Sequence, residues 1–121
     1  MASEELAALD FCYLTTTGRH TGNPHEIEIW FALHEGTVYI LSGGRDRSDW
    51  VRNLMVSPAV TLRIGARKRP TKARVVKDSD EDALARRLLL EKYEPGYAGD
   101  LMGWSRSSLP IAVDWPERVD G

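Results

Sequence analysis

A single cysteine, Cys12, in a chain of 121 residues leaves no internal disulfide to expect. No apolar run approaches the roughly 18 residues of a membrane-spanning helix, and no secretory leader pattern opens the chain, so a cytoplasmic protein is expected. The three histidines, His20, His25 and His34, form no close-spaced His-x-x-x-His pair, and no metal site is expected. There is no Gly-x-Ser-x-Gly elbow, and no Gly-Lys-Ser/Thr follows a glycine-rich loop. Those absences exclude the common hydrolase nucleophile and the nucleotide P-loop. A net charge of −2 gives no general attraction for nucleic acid or membrane surfaces. An enzyme built on this sequence would therefore take its chemistry from a cofactor.

What is present describes one ordinary globular domain spanning residues 1–121, with 42% hydrophobic and 28% charged residues. Ser3 to Asp10 reads as a short amphipathic helix, and Phe11 to Thr17 as a strand rich in aromatic and β-branched residues. His25 to Leu33 alternates, with Ile27, Ile29, Phe31 and Leu33 on one face, and Glu35-Gly36 turns it into Thr37 to Ser42 as an antiparallel hairpin. Asp46 to Val56 reads as a helix closed by Pro58. Val60 to Ile64 and Arg67 to Lys77 read as strands either side of a Gly65-Ala66 turn. Asp80 to Tyr93 is helical, capped by Ser79 or Asp80. Glu94 to Ser108 is a loop or a broken helix, and Leu109 to Val113 a closing strand. About six strands joined by short connections, with three helices, exclude a doubly wound parallel sheet. The expectation is an α+β, mainly antiparallel fold: a small barrel or curved sheet with helices at its ends.

Two loops carry chemistry. The first follows a strand: Thr15, Thr16, Thr17, Arg19 and Thr21 offer donors between Gly18 and Gly22, and a guanidinium suits a phosphate or carboxylate. The second, Ser42-Gly-Gly-Arg45, runs into a helix start beside Arg47 and could seat an anion on free N–H groups. Two such loops about thirty residues apart suggest a pocket for a phosphorylated ligand. Asp46 and Asp49 could instead pair with the arginines. The stretch Arg63 to Arg74 holds six basic residues and no acid. With no interleaved aromatic it reads as a solvated hairpin rather than a nucleic-acid surface. Cys12, in an apolar run with no flanking base, reads as a small buried hydrophobe.

Six segments in order, Thr15-Thr-Thr-Gly-Arg-His-Thr-Gly-Asn-Pro24, the Ile-Trp-Phe strand, Ser42-Gly-Gly, Trp50-Val-Arg-Asn-Leu54, Ser57 to Arg63 and Tyr93-Glu-Pro-Gly-Tyr97, resemble the deazaflavin-dependent nitroreductase family. That resemblance implies a split β-barrel of the FMN-binding type that binds coenzyme F420, with FMN as the alternative cofactor. It implies reduction of an electron-poor small molecule such as an enone, a quinone or a nitro compound by hydride transfer. A non-catalytic F420 carrier or sensor is the other reading. By position, Arg19 and His20 would face the coenzyme's anionic tail, and His25 stands where relatives usually carry a basic residue. Thr17 and Arg45 would also touch the cofactor, Ser42 and Gly43 would lie along the deazaflavin, and Trp50 and Asn53 against the ring or phosphate. Trp30 and Tyr97 would line the substrate side, with Ser42 or Tyr97 donating to developing negative charge. Relatives often carry Lys and Arg where this chain has His20 and His25, and a loop lysine that is missing here, leaving Arg45 or Arg47 to take its place. Split barrels often dimerise, so a homodimer is compatible with the resemblance.

Overall fold

The computed structural model describes residues 3–97 and 99–116. Seven strands, β1 (Cys12–Thr17), β2 (Pro24–Ile29), β3 (Ala32–His34), β4 (Thr37–Ser42), β5 (Ala59–Ile64), β6 (Arg67–Val75) and β7 (Leu109–Asp114), form one sheet. Its order is β2-β1-β5-β6-β7-β4-β3, and every pairing is antiparallel. The helices are α1 (Ser3–Ala7), α2 (Asp49–Val56), α3 (Ser79–Tyr93) and α4 (Leu101–Ser107), with short 3₁₀ turns at Arg45–Arg47 and Glu94–Gly96. None is long and apolar enough to cross a membrane.

The run from His25 to Leu33 is not one strand. Residues up to Ile29 pair with β1, Cys12 facing Ile29 and Thr17 facing Pro24, whereas Ala32 to His34 pair with β4. Strands β2 and β3 are therefore the two edges of the sheet, and the chain passes between them in two residues, Trp30 and Phe31. The sheet has to curl until its edges nearly meet. A covalent crossover closes the barrel where hydrogen bonds do not. The hairpin into Thr37 to Ser42 does form, from β3 alone, through Glu35 (φ 49°) and Gly36 (φ 76°). Two successive positive φ values give the mirror-image turn that matches strand twist, and Gly36 adopts its share without strain.

Inward-facing Cys12, Leu14, Val38, Ile40, Leu62 and Ile111 fill the barrel, with Phe31 from the crossover and Val51 and Leu54 from α2. On the outer face, Tyr39, Leu41 and Ala112 meet Ala85, Leu89 and Tyr93 of α3. Strand β4 is thus covered on both faces, and five of its six residues are buried. Helix α3 is capped not by Ser79 or Asp80 but by Asp78, whose carboxylate accepts from the N–H of Glu81 at 2.9 Å. The Glu94 to Ser108 segment is the broken helix, with Asp100 capping α4 through the N–H of Gly103.

Candidate functional site

Two cavities open along β2. The first, about 630 Å³, lies between the loop that follows β1 and the start of α2, and Arg19, His20, Thr21, His25, Trp50 and Asn53 line it with Pro24 to Ile27. The second, about 470 Å³, adjoins Glu28 to Trp30 and is walled by Tyr97, Trp104 and Leu41. A strand advances about 3.3 Å per residue, so the two openings follow one another along roughly 20 Å of backbone.

The first cavity is built around a buried amide. Asn53, one turn into α2 and 4% exposed, accepts at Oδ1 from the Arg19 N–H (3.2 Å) and from Arg19 Nη1 (2.9 Å). Its Nδ2 donates to Thr16 Oγ1 at 3.2 Å. Arg19 also donates to the Asp49 backbone oxygen and pairs with the Asp49 carboxylate at 3.1 Å. The guanidinium thus fastens the first loop to the helix, and Asp49 pairs with Arg19 rather than with Arg45 or Arg47 of the second loop. Gly18 has His25 at its back: a Cβ there would lie 2.7 Å from His25 Nε2. The loop closes on itself through Gly18 N to the Asn23 oxygen (2.7 Å) and Gly22 N to the Gly18 oxygen (2.8 Å). Thr17 is exposed at the strand end, paired with Pro24, and does not line the cavity.

The second cavity is aromatic. Trp30 stacks on Tyr93 with centroids 4.2 Å apart and planes 5° apart, and meets Tyr97 and Trp104 edge-on at 5.7 and 5.6 Å. Tyr93 locks the crossover below it. Its hydroxyl accepts from the Phe31 N–H at 3.0 Å and lies 2.7 Å from the Asp10 oxygen. Burial holds that phenol far above its ordinary pKa. Lys92 Nζ donates to the Leu9 and Phe31 oxygens at 2.7 and 2.9 Å and sits 3.8 Å from the Phe31 ring centre. Burial lowers its pKa to about 8. Burial also pushes the Cys12 thiol up to about 12, so this cysteine is the inert, buried residue its apolar run suggested.

The remaining candidates fall elsewhere. Ser42 is buried, and its hydroxyl lies 3.0 Å from both the Arg45 oxygen and Ser48 Oγ, outside the lining of either cavity. Arg45 holds a φ of 55° and donates to the Ser107 and Ser108 oxygens at 2.8 and 3.2 Å, closing the end of α4. Gly43 faces Trp104, whose ring lies 3.8 Å from where a Cβ would stand. Trp104 and the anchoring roles of Tyr93 and Lys92 were not recognised in the sequence. A tryptophan in a glycine-broken segment was the one available signal. The basic stretch forms the β5–β6 hairpin, with Arg63 over the Tyr13 ring at 4.0 Å and Arg69 over Trp115 at 5.3 Å.

Solved structures share this fold at low identity. An F420-H2 dependent reductase (FDR-A) is 19% identical with a TM-score of 0.68, covering 87% of this chain and 93% of its own. A conserved hypothetical protein of Mycobacterium tuberculosis is 18% identical at 0.72, covering 100% and 93%. The haem storage protein HutZ of Vibrio cholerae is 16% identical at 0.68, covering 93% and 87%. Such likenesses speak for the barrel and not for its use. The sequence itself goes further: residues 2–116 match the family model described as F420H(2)-dependent quinone reductase. The chain belongs to that family, an F420-dependent oxidoreductase on a split β-barrel.

Proposed function

We propose that the groove along β2 holds coenzyme F420 with its anionic tail in the first cavity and the deazaflavin toward the second, where an enone, quinone or nitro compound is reduced. One observation carries this reading. The residues expected beside the tail (Arg19, His20, His25) share one cavity with Trp50 and Asn53, and those expected beside the substrate (Trp30, Tyr97) share the next on the same strand. The donor set fits an acidic phosphodiester tail: two imidazoles, the Thr21 hydroxyl and the edge of an Arg19 guanidinium held in place by Asp49. Bound there, the reduced deazaflavin supplies a hydride.

The chain's own residues orient and donate. Trp50, on the first turn of α2, offers an apolar surface beside the tail cavity, and Gly43 leaves room for close approach next to Trp104. Trp30, held flat by Tyr93, and Trp104 fix a planar acceptor. Tyr97, half exposed, can donate its O–H to negative charge developing on an acceptor oxygen. Solvent reaches the cavity at that residue and supplies the proton. Ser42 acts through the loop it shapes, since its hydroxyl already faces Arg45 and Ser48.

The test separates the two cavities. His20→Ala with His25→Ala should weaken F420 binding by about tenfold or more, the loss of two anion contacts. Tyr97→Phe should lower turnover of a quinone such as menadione with F420 affinity unchanged. Equal loss of both properties in both variants would defeat the division.

A further inference from the structure

The second cavity has a charge character that neutral acceptors do not use. Among the described residues its charged lining is two acids, Glu28 and Asp100, with no lysine, arginine or histidine. Tyr93 covers one face of Trp30, and the indole is part of the cavity wall. Tyr97 and Trp104 stand at 86° and 88° to Trp30, and all three rings line the cavity. Both carboxylates are held in place. Glu28 accepts from the Tyr13 hydroxyl at 2.6 Å and Asp100 from the Gly103 N–H at 2.9 Å. Arg63 lies over the Tyr13 ring, 4.0 Å from its centre, and is not part of the cavity lining.

Ring faces are negative and attract cations, more strongly where water is excluded. Two fixed carboxylates at the same opening add to that field, whereas the electron-rich oxygens of a quinone or nitro group gain nothing from them. We propose that this cavity selects planar organic cations with a delocalised iminium, of the N-alkylacridinium or N-alkylpyridinium type, over neutral acceptors of similar size. The proposal rests on the reading of this cavity as the acceptor side.

The chemistry balances. C9 of an acridinium gains a hydride from the reduced coenzyme that the family's reaction supplies. The C–H bond at C5 of the reduced deazaflavin breaks as the C9–H bond forms. Two electrons enter the acridinium ring and discharge the charge on nitrogen, and the coenzyme is left oxidised with its ring N–H proton released to solvent. No separate proton is needed, in keeping with a cavity whose ionisable lining groups are two carboxylates and a phenol. The neutral product loses the attraction that drew the cation in and binds more weakly than the substrate.

Equilibrium binding of 10-methylacridinium and of neutral acridine at pH 8, followed by ligand fluorescence with oxidised F420 present, tests the proposal without turnover. The cation should bind about tenfold tighter or better. Glu28→Gln combined with Asp100→Asn, which keeps a capping side chain, should remove most of that preference. Trp104→Ala should weaken both ligands. Equal affinity for the two ligands, or a preference that survives the double variant, overturns the inference. Quinone reduction distinguishes the two levels. If Trp104→Ala impairs it while the cation is not preferred, the acceptor cavity stands and its selectivity for cations falls. If Trp104→Ala leaves it intact and neither ligand binds, both fall.

Discussion

Asn53 Oδ1 receives two hydrogen bonds from one residue, Arg19: the backbone N–H at 3.2 Å and the guanidinium at 2.9 Å. A single buried amide therefore fixes both the path of the first loop and the direction of its arginine, while its other end holds Thr16 on β1. The loop is held before any ligand arrives, which lowers the ordering cost of binding. Replacing Asn53 with Ala leaves a buried N–H and the Thr16 hydroxyl without partners and should cost about 1–3 kcal/mol. A denaturant melt and an F420 titration of Asn53→Ala should show lower stability together with weaker binding. Wild-type affinity in a destabilised Asn53→Ala would show that the latch serves the fold alone.

Gly18 offers a gentler probe of the same cavity. An added methyl would meet the His25 ring at 2.7 Å and the Thr21 hydroxyl at 3.0 Å, side chains and not backbone. Gly18→Ala should therefore fold, with a melting temperature within a few degrees of wild type, on the order of 1 kcal/mol. Because His25 must move, F420 affinity should fall by about fivefold or more. Calorimetric titration of this one variant reads whether the position of His25 matters.

Tyr93→Phe keeps the stack beneath Trp30 and deletes the hydroxyl that serves the Phe31 N–H and lies beside the Asp10 oxygen. The cost should be about 1–3 kcal/mol, seen as a melting temperature lower by roughly 4–12 °C. The near-ultraviolet signal of the Trp30–Tyr93 pair should persist, since the rings still overlap. Its disappearance would mean that the hydroxyl, rather than the stacking, positions Trp30.

Lys92 gives the fold an alkaline signature. Its pKa is lowered from 10.5 to about 8, mainly by burial, so above pH 8 the folded chain gives up a proton that the unfolded chain keeps until about 10.5. The unfolded state then binds more protons, and stability rises with pH in that window. Cys12 and Tyr39, both raised to about 12 with burial as the largest cause, act in the opposite sense above their ordinary values of 9.0 and 10.0. Stability should therefore climb between pH 8 and 9 and fall at higher pH. Denaturant midpoints across that range should lose the climb in Lys92→Met and keep it in Cys12→Ala.

Much of the barrel was legible because alternation records which side of a strand faces the core. Thr37 to Ser42, the β5–β6 hairpin and α3 all fall where pattern and turn residues put them, to within a residue or two. Alternation does not record which neighbour a strand bonds to. Ile27, Ile29, Phe31 and Leu33 keep one rhythm through the crossover, so the exchange of partners at Trp30–Phe31 left no trace in the pattern. In the site, residue types were readable but partners were not. Arg45 looks like an anion ligand in sequence, yet its partners are backbone oxygens 62 and 63 residues away. The four-ring cluster was half visible. Trp30 and Tyr97 stood out, while Trp104 lies on a short helix interrupted by Gly103, where helix propensity is weak and the Asp100 cap was the only start signal.

The most direct measurement is titration of the protein into coenzyme F420 and, in parallel, into FMN, following cofactor fluorescence for wild type and for His20→Ala/His25→Ala. Saturation by F420 at micromolar concentration or below, with no saturation by FMN and a clear loss in the double variant, is the expected result. F420 binding that is untouched by losing both histidines would contradict the placement of the tail between the first loop and α2.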